Sequence, residues 1–204
     1  MTRSSPTRAD RQRLAARLTL VERAVDLLRS KEEALDRERI RLRGHASRAD
    51  ARWRDEWSSA ELAILRARSM GAGTELDRLA ARETAPATVT PHWTSSMGVS
   101  YPATVDCRPG PAPRVTSTAA LGPAVSASRR AVDAAAEQAA MSMAVRRLER
   151  ELATTRRRRR ALEERLGPSL RASIRTLDLQ LDELDRDAAL RARTVVDRRR
   201  GGTR

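Results

Sequence analysis

Apolar residues recur on alternating three- and four-residue steps at both ends of this chain, and this spacing constrains the fold more than any other feature. Residues at such spacing share one face of a helix, which can be buried against a second helix. The two seams most simply pair with each other, which predicts a long antiparallel two-helix coiled coil. The predicted seam consists of Leu14, Leu18, Val21, Val25, Leu28, Leu35 and Leu42 in the N-terminal part, and Leu148, Leu152, Leu162, Leu166, Leu170, Ile174, Leu177, Leu181 and Leu184 in the C-terminal part.

The composition agrees with long helices that meet along narrow apolar seams. The 204 residues include no Phe, one Tyr and three Trp, and 33% of them are charged, so a thick aromatic core is excluded. The formal net charge is +14, and Lys31 is the only lysine among 41 basic residues. Nucleic acid, an anionic membrane and an acidic protein surface are all compatible with this charge.

Proline and glycine divide the chain into five predicted segments. The pair Gly71 and Gly73 predicts a break in the N-terminal helix, and Gly167-Pro168, where an extra four-residue step interrupts the heptads, predicts a kink in the C-terminal one. The segments are a flexible N-terminus (1–9), a long helix (10–83, break near 71–73), a Pro-rich middle (84–123), a second long helix (124–198, kink near 167–168) and a flexible tail (199–204).

The middle segment is the part of the chain that the pattern does not predict as helix. Seven prolines lie between residues 84 and 123, and Met97, Val99 and Tyr101 alternate with polar or small residues. This favours a short strand or hairpin, although a Pro-rich linker is the alternative. The predicted fold class is therefore all-α, a long antiparallel two-helix coiled coil with a small middle region that contains a short β-hairpin or an irregular segment.

Several chemical functions find no support in the sequence. Lys31 is not part of a glycine-rich phosphate-binding loop, His45 and His92 lie far apart, and Cys107 is a single cysteine. We therefore expect no catalytic residues, no cofactor and no metal site. The chain also lacks an apolar stretch of membrane-spanning length and an apolar signal-type start, so we expect a cytoplasmic protein that reaches a membrane only through partners.

Three short motifs resemble, in order, the D subunit of the V-type (vacuolar/archaeal-type) ATPases. The first is the start Pro6-Thr7-Arg8 followed by the helix segment 24–31, which ends in Leu28-Arg29-Ser30-Lys31. The second is the stretch Met97-Gly98-Val99-Ser100-Tyr101-Pro102, which is similar to a Met-Gly-Val-x-x-Pro stretch of that family. The third comprises Ala161-Leu162-Glu163, Pro168, Ser173-Ile174 and Leu181-Asp182-Glu183. The sequence departs from the family pattern at Arg159, Arg160 and Gly167.

This resemblance implies a non-catalytic central-stalk subunit, the rotor axle of a V-type rotary ATPase or ATP synthase. Its implied partners are the catalytic and regulatory head subunits, the F subunit and the membrane-side rotor subunit. The middle segment formed by Met97, Gly98, Val99, Tyr101 and Pro102 would bind a partner. The basic ends of the two helices would contact the catalytic head through Arg8, Arg11, Arg13, Arg17, Arg191, Arg193 and Arg198.

Two other functions remain open from the sequence. A coiled-coil scaffold, or a stalk similar to those of export ATPases, would share the helical pairing but would not need the Met97–Pro102 stretch. An Arg-rich nucleic-acid-binding protein could use the run Arg156–Arg160 on phosphates, although five consecutive helical residues spread around the helix.

Overall fold

The computed structural model describes residues 7–81, 86–111 and 119–201, with side chains as far as Val195. Two helical stretches, each interrupted once by a π-helical turn, flank a β-hairpin, which confirms the predicted fold class. The elements are α1 (Arg8–Ala67), a π turn (Arg68–Ala72), α2 (Gly73–Ala81), β1 (Thr88–Ser96), β2 (Val99–Arg108), α3 (Leu121–Ala161), a second π turn (Leu162–Leu166) and α4 (Gly167–Gly201).

The side chain of Thr7 caps the N-terminus of the first helix. The Thr7 hydroxyl oxygen accepts a hydrogen bond from the backbone N–H of Asp10 at 3.1 Å, and the Asp10 carboxylate accepts one from the Thr7 hydroxyl at 2.6 Å. This reciprocal arrangement satisfies a backbone donor that the first helical turn leaves unpaired.

The chain forms two compact units, the first of which combines residues 1–31 with residues 154–204. Among its described residues, ion pairs join the first half of α1 to α4 and to the second π turn. The pairs are Arg8–Asp185, Arg11–Asp178, Glu22–Arg171 and Arg29–Glu163. Because partner numbers fall as α1 numbers rise, the two helical stretches of this unit are antiparallel.

The second unit spans residues 32–153 and contains most of the buried apolar side chains of the described chain. Its largest side-chain cluster joins Leu35 and Leu42 of α1 to Leu148 and Leu152 of α3, and Tyr101 of the hairpin packs into it. Further along, the two helices meet through alanine, where Ala60 contacts Ala127 and Ala131. The contact between α1 and α3 thus changes from leucine side chains to alanine side chains, and small residues let helix backbones approach closely.

The predicted seam residues differ in how deeply they lie. Leu184 is 41% exposed, although the heptad pattern places it in the seam. Seven others are buried, namely Val21, Val25, Leu35, Leu42, Leu148, Leu152 and Leu170, and eight are half-buried, namely Leu14, Leu18, Leu28, Leu162, Leu166, Ile174, Leu177 and Leu181.

Both predicted irregularities coincide with π turns. In the first, Gly71 has a φ of +85°, a left-handed conformation that glycine adopts without steric cost. In the second, the backbone N–H of Gly167 donates to the carbonyl of Leu162, five residues earlier. The wider turn lies directly before Pro168, which has no N–H to donate and would crowd the preceding turn of a regular α-helix.

The middle segment forms a hairpin, as the sequence favoured, with strands of 9 and 10 residues. β1 and β2 pair antiparallel from Ser96 opposite Val99 to Thr88 opposite Arg108, with a register irregularity at His92 and Trp93. Met97 lies in the turn rather than on a strand. Met97 and Gly98 have φ values of +49° and +80°, as in a two-residue type I′ turn.

No helix in the described ranges is both long and apolar enough to cross a membrane.

Candidate partner-binding surfaces

Tyr101 connects the hairpin to α1 and α3 through packing and a hydrogen bond. Its ring is 4% exposed and packs among Leu35, Leu148 and their neighbours, while its hydroxyl donates to Glu38 Oε1 at 2.5 Å. Pro102 is fully buried, and Val99 packs against the same cluster. Three of the five residues that the sequence predicted for partner binding therefore face the interior of this unit.

The Glu38 carboxylate accepts hydrogen bonds from both Tyr101 and Arg41. Both of its oxygens accept hydrogen bonds from Arg41, from Nη2 at 2.6 Å and from Nε at 2.9 Å. These bonds from Arg41, with the one from Tyr101, lower the pKa of Glu38 from 4.5 to about 2. Burial and the bond to Glu38 raise the pKa of Tyr101 above 10.0. Glu38 is thus ionised and Tyr101 neutral at physiological pH, which is the combination that makes this hydrogen bond strong.

Arg147 holds the hairpin from the α3 side. Its Nη1 donates to the backbone carbonyl of Ser100 at 3.2 Å, and its guanidinium carbon lies 4.7 Å from the centroid of the Trp93 ring. Trp93 remains 50% exposed. The sequence shows Trp93 close to Met97 and Tyr101 but contains no signal for Arg147, because the contact joins residues on different elements.

Most of β1 is solvent-facing, including Trp93, and so is the turn. Met97 is 54% exposed and Gly98 is exposed beside it, so these are the two residues of the predicted segment that the fold presents outward. The Cys107 thiol on β2 is half-buried, and burial, with a contribution from Asp133, raises its pKa.

The arginines that the sequence predicted to contact the catalytic head differ in the partners that the structure gives them. Arg8 and Arg11 are ion-paired to α4 at 3.0 Å and 2.8 Å, so they help to join the two helices of the first unit. Arg13 pairs with Asp10 on its own helix, and Arg191 donates to the backbone carbonyl of Asp187. Arg17 and Arg193 are exposed, whereas the side chain of Arg198 lies outside the described residues.

An apolar cleft of about 340 Å³ lies between the end of α1, α2, the base of the hairpin and the start of α3. Ile64, Leu76, Leu79 and Val132 contribute to its walls, together with Pro109. No pattern in the sequence indicated this cleft, because its walls come from four separate elements. Within the described part of the chain, no group of three or more His, Cys, Asp or Glu side chains is arranged to hold a metal ion.

Comparison with known proteins identifies the family of this chain. No curated protein sequence matches it. The sequence model of the ATP synthase D subunit family matches residues 10–197, which include nearly all of α1, the hairpin, α3 and most of α4. The chain therefore belongs to the ATP synthase D subunit family, a family of non-catalytic stalk subunits that associate with the other subunits of a rotary ATPase.

Proposed function

We propose that this chain is the central rotor axle of a V-type rotary ATPase or ATP synthase and transmits torque between the catalytic head and the membrane rotor. The observation that supports the proposal most strongly is the family match over residues 10–197. The V-type assignment rests on the resemblance of the three motifs, at residues 6–31, 97–102 and 161–187. In this function the chain is peripheral, in the cytoplasm, and reaches the membrane through the complex.

An axle must resist local unfolding while it is twisted, and the contacts within each unit suit that requirement. In the first unit, four ion pairs link residues of α1 to residues of α4 or of the second π turn. In the second unit, Arg52 bridges from α1 to both Asp133 and Glu137 of α3, and Arg130 of α3 pairs with Glu56 at 2.9 Å. Each exposed pair contributes little to stability alone, but a series of them opposes sliding of one helix along the other.

In this proposal the exposed arginines of the first unit contact the catalytic head, and the outward residues of the hairpin contact the F subunit or the membrane-side rotor. Arg17 and Arg193 are the better candidates for the head, because Arg8 and Arg11 are already engaged by aspartates. For the hairpin, the large exposed apolar residues are Val89, Trp93 and Met97.

The proposal is tested by isolating the tagged chain from its native cells after nuclease treatment and a moderate-salt wash. We expect V-type catalytic subunits in near-stoichiometric amounts together with ATPase activity. Recovery of unrelated proteins, or of an unspecific nucleic-acid complex whose affinity falls steeply with salt, would support the scaffold or nucleic-acid alternative instead.

Rotation is tested by fixing the chain to the head. An Arg17→Cys variant in a Cys107→Ser background carries a photoactivatable maleimide, and the assembled complex is illuminated. Because a rotor must turn relative to the head, ATP hydrolysis should fall in proportion to the fraction of chain that is crosslinked to a catalytic subunit. The same labelled complex without illumination is the matched control. Full activity at complete crosslinking would show that the chain is a fixed scaffold.

A further inference from the structure

A second apolar stripe runs along α3, on the face opposite the seam that α3 shares with α1. Val125, Val132, Ala136, Ala139 and Met143 fall at heptad positions, and Arg129 and Arg146 occupy the remaining positions of the same repeat. Steps of three and four residues place all of these side chains on one helical face. Val132 is 45% exposed, Met143 is 40% exposed, and Ala139 is exposed. We call Val125, Val132, Ala136, Ala139 and Met143 the α3 outer stripe.

The α3 outer stripe continues into the apolar cleft at the start of α3. Val125 and Val132 belong both to the stripe and to the wall of the 340 Å³ cleft, together with Leu76 and Leu79 of α2. A cleft of that size holds one or two large side chains, as at the buried centre of many protein interfaces. Further along, Ala136 and Ala139 leave room for a second helix backbone to approach closely.

The charge near the stripe differs between its middle and its far end. In the middle, Asp133 and Glu137 share one arginine, Arg52, whereas the far end is positive. At its far end Arg146 and Arg147 are exposed, and Arg147 contacts Ser100 and Trp93. An occupant with acidic residues at that end would therefore be favoured, and a second copy of this chain, with its net charge of +14, would be repelled.

We propose that the α3 outer stripe and the adjoining cleft form the docking site for an amphipathic helix of a partner subunit. The heptad spacing requires a helical occupant with its own apolar repeat, the cleft takes a large apolar side chain near one end, and the arginines take acidic residues near the other. The distance from Val125 to Arg146 corresponds to roughly 30 Å of helix. This inference rests on the proposed function, because it takes the partner from the same ATPase complex.

The first experiment maps what lies on the stripe in the assembled complex. Benzoylphenylalanine replaces Ala139 in the full-length tagged chain, the native cells are illuminated, and the crosslinked peptide is identified by mass spectrometry. We expect a crosslink to one helical segment with an apolar heptad and acidic residues. The control position is Ala51, an exposed alanine of α1. A crosslink from position 139 to another copy of this chain, to a non-helical segment, or to no subunit of an intact complex would overturn the inference.

The second experiment places a charge in the proposed interface. Ala139→Glu should lower the amount of one subunit that co-purifies with the chain by about tenfold or more, since the substitution would bury an unpaired carboxylate in the apolar part of the interface. Ala51→Glu, the matched change, should leave the amounts of all subunits unaltered. Unchanged subunit ratios in Ala139→Glu would contradict the docking site while leaving the rotor function standing. Absence of catalytic subunits from the wild-type preparation would instead contradict the rotor function and, with it, this inference.

Discussion

The hydrogen bond from Tyr101 to Glu38 should be measurable as a difference in stability between the wild type and Tyr101→Phe. The substitution removes the hydroxyl and keeps the ring that packs against Leu35 and Leu148, so no cavity forms. A hydrogen bond to a charged group contributes about 1.5–3 kcal/mol. Because Arg41 continues to bind both oxygens of Glu38, we expect a loss near the lower limit, about 1.5 kcal/mol.

Urea unfolding followed by tryptophan fluorescence is the appropriate assay. Trp53, Trp57 and Trp93, the three tryptophans of the chain, belong to the same unit as Tyr101, so their fluorescence reports the unfolding of that unit. The matched control is Thr104→Val, which removes an exposed hydroxyl from β2 and should change the free energy of unfolding by less than about 0.5 kcal/mol.

The pH dependence separates this mechanism from a general packing defect. The pKa of Glu38 is lowered from 4.5 to about 2 in the folded state, so the stability that it contributes is fully present above pH 4.5 and is lost as the pH falls towards 2. The difference between wild type and Tyr101→Phe should therefore be smaller at pH 2 than at pH 7. Equal stabilities at pH 7, or a difference that does not change with pH, would refute the reasoning.

Three further outcomes are expected. Tyr101 is the only tyrosine, so its ultraviolet absorption should titrate above pH 10.0, and Glu38→Gln should lower that pKa because it removes the anionic acceptor; an unchanged titration would contradict the contact. Leu148→Ala should lower the free energy of unfolding by about 2–5 kcal/mol in urea titrations, since the side chain is completely buried, and a loss below about 1 kcal/mol would argue against the cluster. Gly167→Ala should lower the melting temperature, because the added methyl group would lie 3.2 Å from a backbone carbonyl oxygen in the π turn. Gly73→Ala, in open space with helical backbone angles, should raise it by restricting the unfolded chain, and the same sign for both changes would contradict this explanation.

The family and the pairing of two long helices could be predicted from the sequence, because both depend on local patterns. Heptad spacing determines which side of a helix is apolar, and proline excludes helix from the middle segment wherever the rest of the chain lies. Gly71 and Pro168 also predicted where the helices are interrupted. The sequence did not predict that these interruptions are π turns. The form of the interruption depends on how the helix accommodates the extra step while it remains packed against its partner helix.

The partners of individual side chains were decided only by the tertiary structure. The stretch Met97–Pro102 was recognised as a motif, yet Tyr101 faces inward to Glu38, 63 residues away in sequence, while Met97 faces outward. The contact of Arg147 with Trp93 and the cleft beside the α3 outer stripe depend in the same way on how the hairpin and α2 lie against α3. Heptad periodicity is a local property and can be read directly from the sequence. The register between distant elements is determined by the packing of all of them together, so it cannot.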